Sequence, residues 1–289
     1  MVKILTVTLN PSSDKTVLVD KFTPGAEMRV RVVSTVSGGK GVNTARAINA
    51  LQVPVTALTL QDILPAVEVR ENLTVVDTAG NQTRFLEPGP RLPAREWSGI
   101  QKFILKRLPE FSFLALCGSL PPGAPVGLYA GLITAAREQG LVTALDTSGL
   151  TLAHSISARP WCIKPNRQEA EELLGITIRS VRAVRKALQM LAGCGNTRVL
   201  LSLGAEGLAF FDGSDMLMAR GPFQEGSTVG CGDASLAGFL AGYASGADSA
   251  ESLVLAAAAG AANVGSSIPG EITRERVNGL KCKIKVERL

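Results

Sequence analysis

A glycine-rich turn near the C-terminus carries the residues best suited to chemistry. Gly230-Cys231-Gly232-Asp233 leads directly into an apolar, helix-like stretch at 236–240. Glycines let backbone N–H groups approach an anion closely, and a helix start adds unpaired N–H groups and a positive dipole end. Asp233 could accept a proton from a hydroxyl that attacks a phosphate. The segment therefore indicates phosphoryl transfer. An ordinary turn with an aspartate near a helix start would show the same residue pattern.

Two segments near the N-terminus could bind a polar ligand. Gly38-Gly39-Lys40-Gly41 lacks the Gly-x-x-x-x-Gly-Lys-Ser/Thr spacing of a P-loop. It is either a glycine hinge with a solvent-facing lysine or a place where a ligand approaches the backbone. In the second interpretation Lys40 would meet an anion and Asn43 would hydrogen-bond hydroxyl groups. Asp14, which follows Asn10-Pro11, could bind sugar hydroxyls or cap a turn.

Two segments in the second half could contact a nucleotide. Asn166 and Glu169 lie three positions apart at a predicted helix start. They could form a capping box, or their oxygens could hold a hydrated Mg²⁺ ion near phosphates. Ser202-Leu203-Gly204-Ala205-Glu206-Gly207 follows a predicted strand. It could be a type II turn of a hairpin or a backbone cradle beside phosphates.

The elements that must position these residues alternate between strands and helices from residue 97 onward. Such alternation predicts a mostly parallel sheet with helices on both faces. Polar and glycine-rich turns follow the predicted strands, at the sheet edge where ligands bind in such folds. The hydrophobic patterns predict strands at 4–9, 17–19, 29–36, 53–59, 113–117, 142–146, 198–202 and 208–211, a hairpin of 73–77 with 83–86, and helices at 44–51, 97–108, 125–139 and 180–191.

Composition narrows the class of protein. The 289 residues, 46% of them hydrophobic, suit one large α/β domain. The net charge of +5 is scattered and only 4% of residues are aromatic, which fits an anionic small substrate and argues against nucleic acid. The single histidine, His154, argues against a Ser-His-Asp triad.

The same composition bears on cellular location. Five cysteines without a Cys-x-x-Cys pair predict reduced thiols and a cytoplasmic protein. The N-terminus does not have the pattern of a signal peptide, and the Ala-rich stretch at 253–263 is too short for a membrane span.

The order of the motifs is more specific than any one of them. Asn-Pro-x-x-Asp, Gly-Gly-Lys-Gly-x-Asn, Gly-Ser-Leu-Pro-Pro-Gly, Asp-Thr-Ser-Gly, Lys-Pro-Asn-x-x-Glu, Ser-Leu-Gly-x-x-Gly and Gly-x-Gly-Asp follow one another along nearly the whole chain. The series closely resembles the ribokinase-like (PfkB) carbohydrate kinases, specifically the branch that acts on sugar phosphates. The resemblance implies a three-layer α/β/α fold with a mostly parallel central sheet, forming a single domain over 1–289. A small β lid, at about 14–36 and 70–86, would cover the sugar and often mediates homodimers in the family.

The resemblance also implies roles for the residues at matching positions. Asp233 would be the general base, and backbone N–H groups of Gly230, Cys231 and Gly232 would form an anion hole for the transferring phosphoryl group. The sugar phosphate would be bound by Asp14, Gly39, Lys40, Asn43, Arg70 and Ser119, with Arg70 on its phosphate. ATP would be contacted by Lys164, Asn166, Ser202, Gly204, Glu206 and Gly207. Asn166 and Glu169 would organise Mg²⁺, through water.

The expected reaction is transfer of phosphate from ATP to the primary hydroxyl of a ketohexose monophosphate. Fructose 1-phosphate is the first choice, favoured by Glu27, which stands where the 6-phosphofructokinase type carries a lysine. Tagatose 6-phosphate and fructose 6-phosphate stay open as substrates. A non-catalytic protein that binds sugar phosphates or nucleotides is the alternative from another class. A nucleoside kinase is disfavoured because Lys40 and Arg70 suit a phosphorylated substrate.

Two departures from the family pattern are visible. After Thr59 the chain runs almost directly to Arg70, so that one loop and one helix are missing. Their loss would expose apolar sheet surface and remove part of the wall on the sugar side. Cys231 stands where the family usually has alanine. Its thiol would be either sensitive to oxidation or simply a small buried side chain.

Overall fold

The computed structural model describes residues 2–195, 198–222 and 224–289. The strands are β1 (Ile4–Thr8), β2 (Ser12–Val19), β3 (Arg31–Gly38), β4 (Val55–Thr59), β5 (Arg70–Asp77), β6 (Gln82–Leu86), β7 (Phe113–Cys117), β8 (Val142–Asp146), β9 (Cys162–Ile163), β10 (Arg198–Ser202), β11 (Leu208–Phe211), β12 (Met216–Arg220) and β13 (Lys285–Arg288). The helices are α1 (Lys40–Ala50), α2 (Leu60–Ile63), α3 (Ala94–Arg107), α4 (Leu128–Glu138), α5 (Gly149–Ile156), α6 (Arg167–Leu174), α7 (Val181–Gly193), α8 (Cys231–Ala244), α9 (Ser249–Asn263) and α10 (Arg274–Lys281).

The central sheet has the strand order β13-β12-β11-β10-β9-β8-β7-β1-β4 among the described residues. Neighbours from β4 to β10 pair in parallel, and β11, β12 and β13 add to one edge in antiparallel register. The parallel strands bring their carboxyl ends to one edge of the sheet. The loops that carry Asp146, Lys164 and Ser202 therefore lie side by side.

Helices cover both faces of this sheet because its strands are apolar on both sides. Leu114 and Leu116 of β7 pack with Trp97 of α3 and with α4 to α7 on one face. Ala115 of β7 packs with α1, α8, α9 and α10 on the other face. α8 itself is apolar nearly all round, and ten of its residues are buried. Burial of this kind fixes the start of α8 against the sheet edge.

A smaller sheet of four strands, in the order β3-β2-β5-β6, is built from two separate stretches of the chain. Its own apolar cluster contains Val17, Val19 and Val75. β2 and β3 lead into α1 through Gly38 and Gly39, so this small sheet is joined directly to the helix that carries Lys40 and Asn43. The interpretation of the chain as one domain with an inserted lid stays a prediction.

The strands predicted at 113–117, 142–146, 198–202 and 208–211 have those bounds in the structure. α4 begins at Leu128, three residues later than predicted, and α1 begins at Lys40, four residues earlier. β12 was not predicted. Within the described residues, no helix combines the length and apolar character that crossing a bilayer requires.

The segment between β4 and β5 is short and partly helical. Thr59 caps α2, and its side chain and that of Asp62 form a capping box. Leu60 is fully buried, and Ile63 and Leu64 pack against the main core. Within β4 itself, Ala57 is exposed and Leu58 is buried. The expected exposure of apolar sheet surface stays a prediction.

Candidate active site

A cleft of about 990 Å³ opens at the carboxyl edge of the central sheet. Nine of the predicted site residues line it: Lys40, Lys164, Asn166, Ser202, Gly204, Gly207, Cys231, Gly232 and Asp233. Gly230, Glu169 and Glu206 are sequence neighbours of lining residues, whereas Asp14, Gly39, Asn43, Arg70 and Ser119 are not part of the lining. The structure therefore gathers the predicted nucleotide-binding residues and the predicted catalytic turn at 230–233 around one cavity.

The catalytic turn owes its shape to Gly230. This residue has a φ of 84°, in the left-handed region, and precedes the first residue of α8. The first-turn N–H groups of a helix have no partner within the helix. The Cys231 N–H donates to the Thr228 carbonyl at 3.1 Å, so it is already engaged. The Gly232 N–H, in the first turn of α8, is the better placed donor for an anion in the cleft.

Lysine 164 lies against the same turn. A β-carbon on Gly232 would be 3.2 Å from the Lys164 Nζ atom. The lysine is 4% exposed and follows β9, whereas Gly232 belongs to α8. A positive side chain and the positive end of a helix dipole thus meet at one point. Both favour negative charge there.

The carboxyl group of Asp233 is buried and has one amide partner. The residue is 8% exposed, and Asn43 donates from Nδ2 to Oδ2 at 2.8 Å. Burial, assisted by the charge of Asp146, raises the pKa of Asp233 to about 6. Lys40, the Asn43 hydrogen bond and Lys164 act in the opposite direction and keep the rise moderate. A carboxylate with this pKa is ionised at neutral pH and still a better base than an exposed aspartate.

A buried carboxylate links two lysines behind the catalytic turn. Asp146, which is fully buried at the end of β8, lies 2.8 Å from Lys40 Nζ and 2.9 Å from Lys164 Nζ. Burial alone would raise the pKa of Asp146, but the two ammonium groups outweigh it and lower the pKa. The motif series includes Asp-Thr-Ser-Gly but predicts no role for its aspartate, Asp146. Its position at the end of a buried strand was the available signal.

Lys40, which is predicted to bind the sugar, also lies close to Glu169 at the start of α6. Its Nζ atom also lies 3.4 Å from Glu169 Oε1. Burial opposes the charge on Lys40, yet the carboxylates of Asp146, Glu169 and Asp233 raise its pKa. Lys40 therefore remains a fixed positive charge in the lining of the cleft at any physiological pH.

Asn166 and Glu169 form a capping box at the start of α6. The Glu169 N–H donates to Asn166 Oδ1, and the Asn166 N–H donates to Glu169 Oε2, each at 2.9 Å. The carboxylate of Glu206 is largely exposed and pairs at 2.6 Å with Arg167, a residue of the cleft lining. The turn that carries it is closed by the Leu203 N–H, which donates to the Gly207 carbonyl at 2.9 Å.

Two of the predicted sugar-binding residues, Asp14 and Arg70, lie on the paired strands β2 and β5 of the small sheet. Asp14 Oδ1 accepts from Ser12 Oγ at 2.7 Å and from Asn72 Nδ2 at 2.8 Å. Arg70 donates to the Glu87 carbonyl at 2.9 Å. Asn72 itself is buried and was not among the predicted residues.

Ser119 and Gly39 are two more of the predicted sugar-binding residues. Ser119 Oγ accepts from Asn10 Nδ2 at 3.1 Å. Gly39, with a φ of 113°, is the residue that precedes α1. Its conformation allows the chain to turn from β3 into the helix that carries Lys40 and Asn43.

Comparison with known proteins places this arrangement in a family. Residues 67–274, well over half of the chain, match the family described as pfkB family carbohydrate kinase. The chain belongs to that family. The predictions of a ribokinase-like fold and of a phosphotransferase of the carbohydrate kinase type are therefore confirmed.

Individual relatives agree with this assignment. This kinase is 34% identical to a 1-phosphofructokinase of Rhodobacter capsulatus, over 99% of this chain and 98% of that protein. It is 31% identical to the ATP-dependent 6-phosphofructokinase isozyme 2 of Escherichia coli, over 91% and 92% of the two chains. The crystal structure of phosphofructokinase-2 from Escherichia coli in complex with fructose-6-phosphate superposes with a TM-score of 0.86, at 27% identity, over 98% and 99% of the chains.

The alignment with the Rhodobacter capsulatus protein also bears on chain length. It extends over 311 positions, more than the 289 residues of this kinase. That relative therefore carries residues that have no counterpart here. The position of the missing residues, directly after Thr59, stays a prediction.

Proposed function

We propose that this kinase transfers the γ-phosphoryl group of ATP to the primary hydroxyl of a ketohexose monophosphate, with fructose 1-phosphate as the preferred acceptor. The observation that carries the proposal is Asp233, a buried carboxylate with a pKa of about 6 in the first turn of α8, facing the cleft. A base in that place can take the proton of an acceptor hydroxyl as the hydroxyl attacks.

The transferring phosphoryl group would be stabilised by positive groups around the catalytic turn. The Gly232 N–H, the start of α8 and the Lys164 ammonium group converge there. Gly230 would contribute both the left-handed turn and its N–H, whereas the Cys231 N–H is already bonded to Thr228. Fixed donors of this kind stabilise developing negative charge without having to reorganise during the reaction.

ATP would lie along the cleft at the carboxyl ends of β9 and β10. Lys164, Asn166, Ser202, Gly204 and Gly207 line that part of the cavity. Glu206, which is paired with Arg167 of the cleft lining, would contact ATP from the edge of the cleft.

The residues at the start of α6 fit a hydrated Mg²⁺ ion. Glu169 accepts one backbone hydrogen bond, faces Lys40 at 3.4 Å and keeps lone pairs free. One carboxylate and one amide oxygen suit Mg²⁺ held through its water shell, since Mg²⁺ commonly keeps several waters. In the described residues no group of three or more acidic, His or Cys side chains is arranged to ligate a metal directly. When bound, the ion would neutralise charge on the phosphates.

The acceptor sugar would lie between Asp233 and the small sheet. Asp14 and Asn43 offer groups for sugar hydroxyls, Gly39 lets the ligand approach the backbone, and Arg70 suits the substrate phosphate. Ser119 borders the same end through Asn10. The small sheet would be the lid of a single domain.

A homodimer formed through the lid would cover apolar side chains that this sheet exposes. Val32, Val33, Phe85 and Leu86 are each about half exposed. Isolated apolar residues are common on surfaces, but four on the two outer strands of one small sheet support an interface. A cytoplasmic location stays a prediction.

A coupled assay of ADP release across fructose 1-phosphate, fructose 6-phosphate and tagatose 6-phosphate tests the substrate. We expect the highest kcat/KM with fructose 1-phosphate. Equal or absent rates with that sugar would contradict the first choice, and the 6-phosphofructokinase relative makes fructose 6-phosphate the next candidate. If the chain binds ATP but turns over none of the three sugars, the non-catalytic binding protein is the correct interpretation.

A further inference from the structure

Arg46 connects three parts of the active site that come from distant parts of the sequence. It lies three residues after Asn43 on α1, so the two side chains share one face of the helix. Its Nη1 atom donates to Asn43 Oδ1 at 3.1 Å and also contacts the Pro269 carbonyl. Its Nη2 atom donates to the Ser37 carbonyl, near the end of β3, at 2.8 Å.

These contacts determine which way the Asn43 amide faces. A guanidinium group has only donors, so the amide oxygen of Asn43 must face Arg46. An ionised carboxylate has only acceptors, so the amide nitrogen must face Asp233, as it does at 2.8 Å. A flipped amide would turn its oxygen towards the carboxylate of Asp233. Arg46 thus stabilises the orientation in which Asn43 donates to Asp233.

The contact with Pro269 reaches the turn that precedes Asp233. A β-carbon on Gly230 would lie 2.7 Å from the Cα atom of Pro269, so the two loops touch. Asn263 joins the two loops through hydrogen bonds. It donates to the Val229 carbonyl and accepts from the Gly270 N–H, each at 2.7 Å. Arg46 therefore holds the loop at Pro269 from the side of α1.

We propose that Arg46 is a positioning residue, which holds the Asn43 amide against Asp233 and ties this pair to the end of β3 and to the loop at Pro269. The proposal rests on the role of Asp233 as general base that is proposed above. It assigns to one side chain the link between the small sheet, which would close over the sugar, and the group that would activate the sugar hydroxyl.

The charged surroundings of both groups bear on the test. Arg46 faces the carboxylates of Glu271, Asp14 and Asp233, and burial lowers its pKa. Asp233 faces Asp146, Lys40 and Lys164 in addition to Asn43. Loss of the Arg46 charge would therefore act on Asp233 even if Asn43 did not move, and a second background is needed to separate charge from position.

The experiment measures kcat as a function of pH for Arg46→Met, Arg46→Lys and the same Arg46→Met change in an Asn43→Ala background. Arg137→Met is the matched control, because it removes a guanidinium bond to a carbonyl, that of Ala158, away from the site. We expect Arg46→Met to lower kcat by about tenfold, as loss of a hydrogen bond to a charged group typically does. The acid limb should move to higher pH, Arg46→Lys should be intermediate, and Arg137→Met should match the wild type.

The double variant decides between position and charge. We expect the shift of the acid limb caused by Arg46→Met to be largely lost in the Asn43→Ala background. An equal shift in both backgrounds, or no shift in either, overturns the proposal. If Arg46→Met does not fold, as judged by thermal unfolding, Arg46→Lys carries the test, and a wild-type acid limb in that variant overturns the proposal.

Asp233→Asn separates this proposal from the proposed function. If Asp233→Asn keeps its turnover, Asp233 is not the base and both proposals fall. If Asp233→Asn abolishes turnover while the Arg46 variants behave like the wild type, only the role of Arg46 is wrong.

Discussion

Asp146 and Lys164 form an ion pair in the interior of the protein, with 2.9 Å between Oδ2 and Nζ. Asp146 is fully buried and Lys164 is 4% exposed. Lys40 completes the arrangement on the other oxygen of the same carboxylate. Because Lys164 also lies against Gly232, the carboxylate of Asp146 fixes a positive charge beside the turn that is proposed to be catalytic.

Asp146→Asn should destabilise the protein by about 3–5 kcal/mol, since removal of one partner leaves buried charge unpaired. The free energy of unfolding in urea measures this loss. Glu110→Gln is the control, because its pair with Arg107 has the same short distance, 2.8 Å, at the surface. That change should cost less than about 1 kcal/mol. Equal losses for the two variants would mean that the buried pair contributes no more than an exposed one.

The rate should fall with an acid limb near pH 6, because a protonated Asp233 cannot accept the proton of the hydroxyl and its pKa is about 6. The phosphate of the substrate titrates in the same range, with a second pKa of about 6. Asn43→Ala distinguishes the two, since loss of its hydrogen bond should move the limb of Asp233 upward and leave that of the substrate in place. If the acid limb of the pH–rate profile is identical in the wild type and in Asn43→Ala, the limb belongs to the phosphate of the substrate.

Asp233→Asn should abolish most turnover and make the folded protein more stable at alkaline pH. The pKa of Asp233 is raised from 3.8 to about 6, so its ionised form opposes folding. That penalty is absent below pH 3.8, grows as the pH rises towards about 6 and is constant above it. Removal of the charge should therefore add about 1–3 kcal/mol at pH 8 and nothing at pH 3.5.

Thermal unfolding at the two pH values measures this difference in stability, and titration with ATP measures nucleotide binding. We expect kcat to fall by several orders of magnitude while ATP binding is largely kept. A variant that is less stable than the wild type at pH 8 would contradict the raised pKa.

Gly230→Ala should damage the site more than its backbone conformation alone explains. Gly230 has a φ of 84°, and a β-carbon there would lie 2.7 Å from Pro269. Gly246→Ala is the matched control, because Gly246 has a φ of 81° and no atom within 4 Å of its β-carbon position. Both changes should cost about 1 kcal/mol for the left-handed conformation. Only Gly230→Ala should also lower kcat. An equal fall of kcat in Gly246→Ala would show that the loss comes from the strained backbone conformation and not from the contact with Pro269.

Glu169→Gln should raise the concentration of Mg²⁺ needed for half-maximal rate. Glutamine can still serve in the capping box, so the change removes charge while the start of α6 is kept. Glu172→Gln, on the same helix, is the control, because Glu172 is exposed and bonds Gln168. Unchanged Mg²⁺ dependence in Glu169→Gln would leave this residue with a capping role only.

The parallel core of the fold could be predicted from the sequence. The stretches Phe113–Cys117 and Val142–Asp146 are short apolar runs bounded by turns, which is the pattern of a strand buried on both faces. Met216–Arg220 was missed because Met, Leu and Ala favour helices, and only its pairing with β11 and β13 makes it a strand.

The site could be predicted only as far as its motifs reach. The motif series predicted Asp233 and eight further residues that line the cleft. Such a prediction is possible because glycine turns and polar residues at strand ends are local features of the sequence. The partners of those residues depend on tertiary packing. Neither the pairing of Lys40 with Asp146 nor the contact of Arg46 with Asn43 has a signature in sequence spacing alone.

Asn43 and Asp233 are 190 positions apart in the chain, so their hydrogen bond closes a loop that contains most of the protein. Such closure is entropically unfavourable until the intervening strands and helices have packed. A refolding chain should therefore regain its secondary structure before it regains catalysis. A nascent chain likewise has no complete site until α8 has left the ribosome.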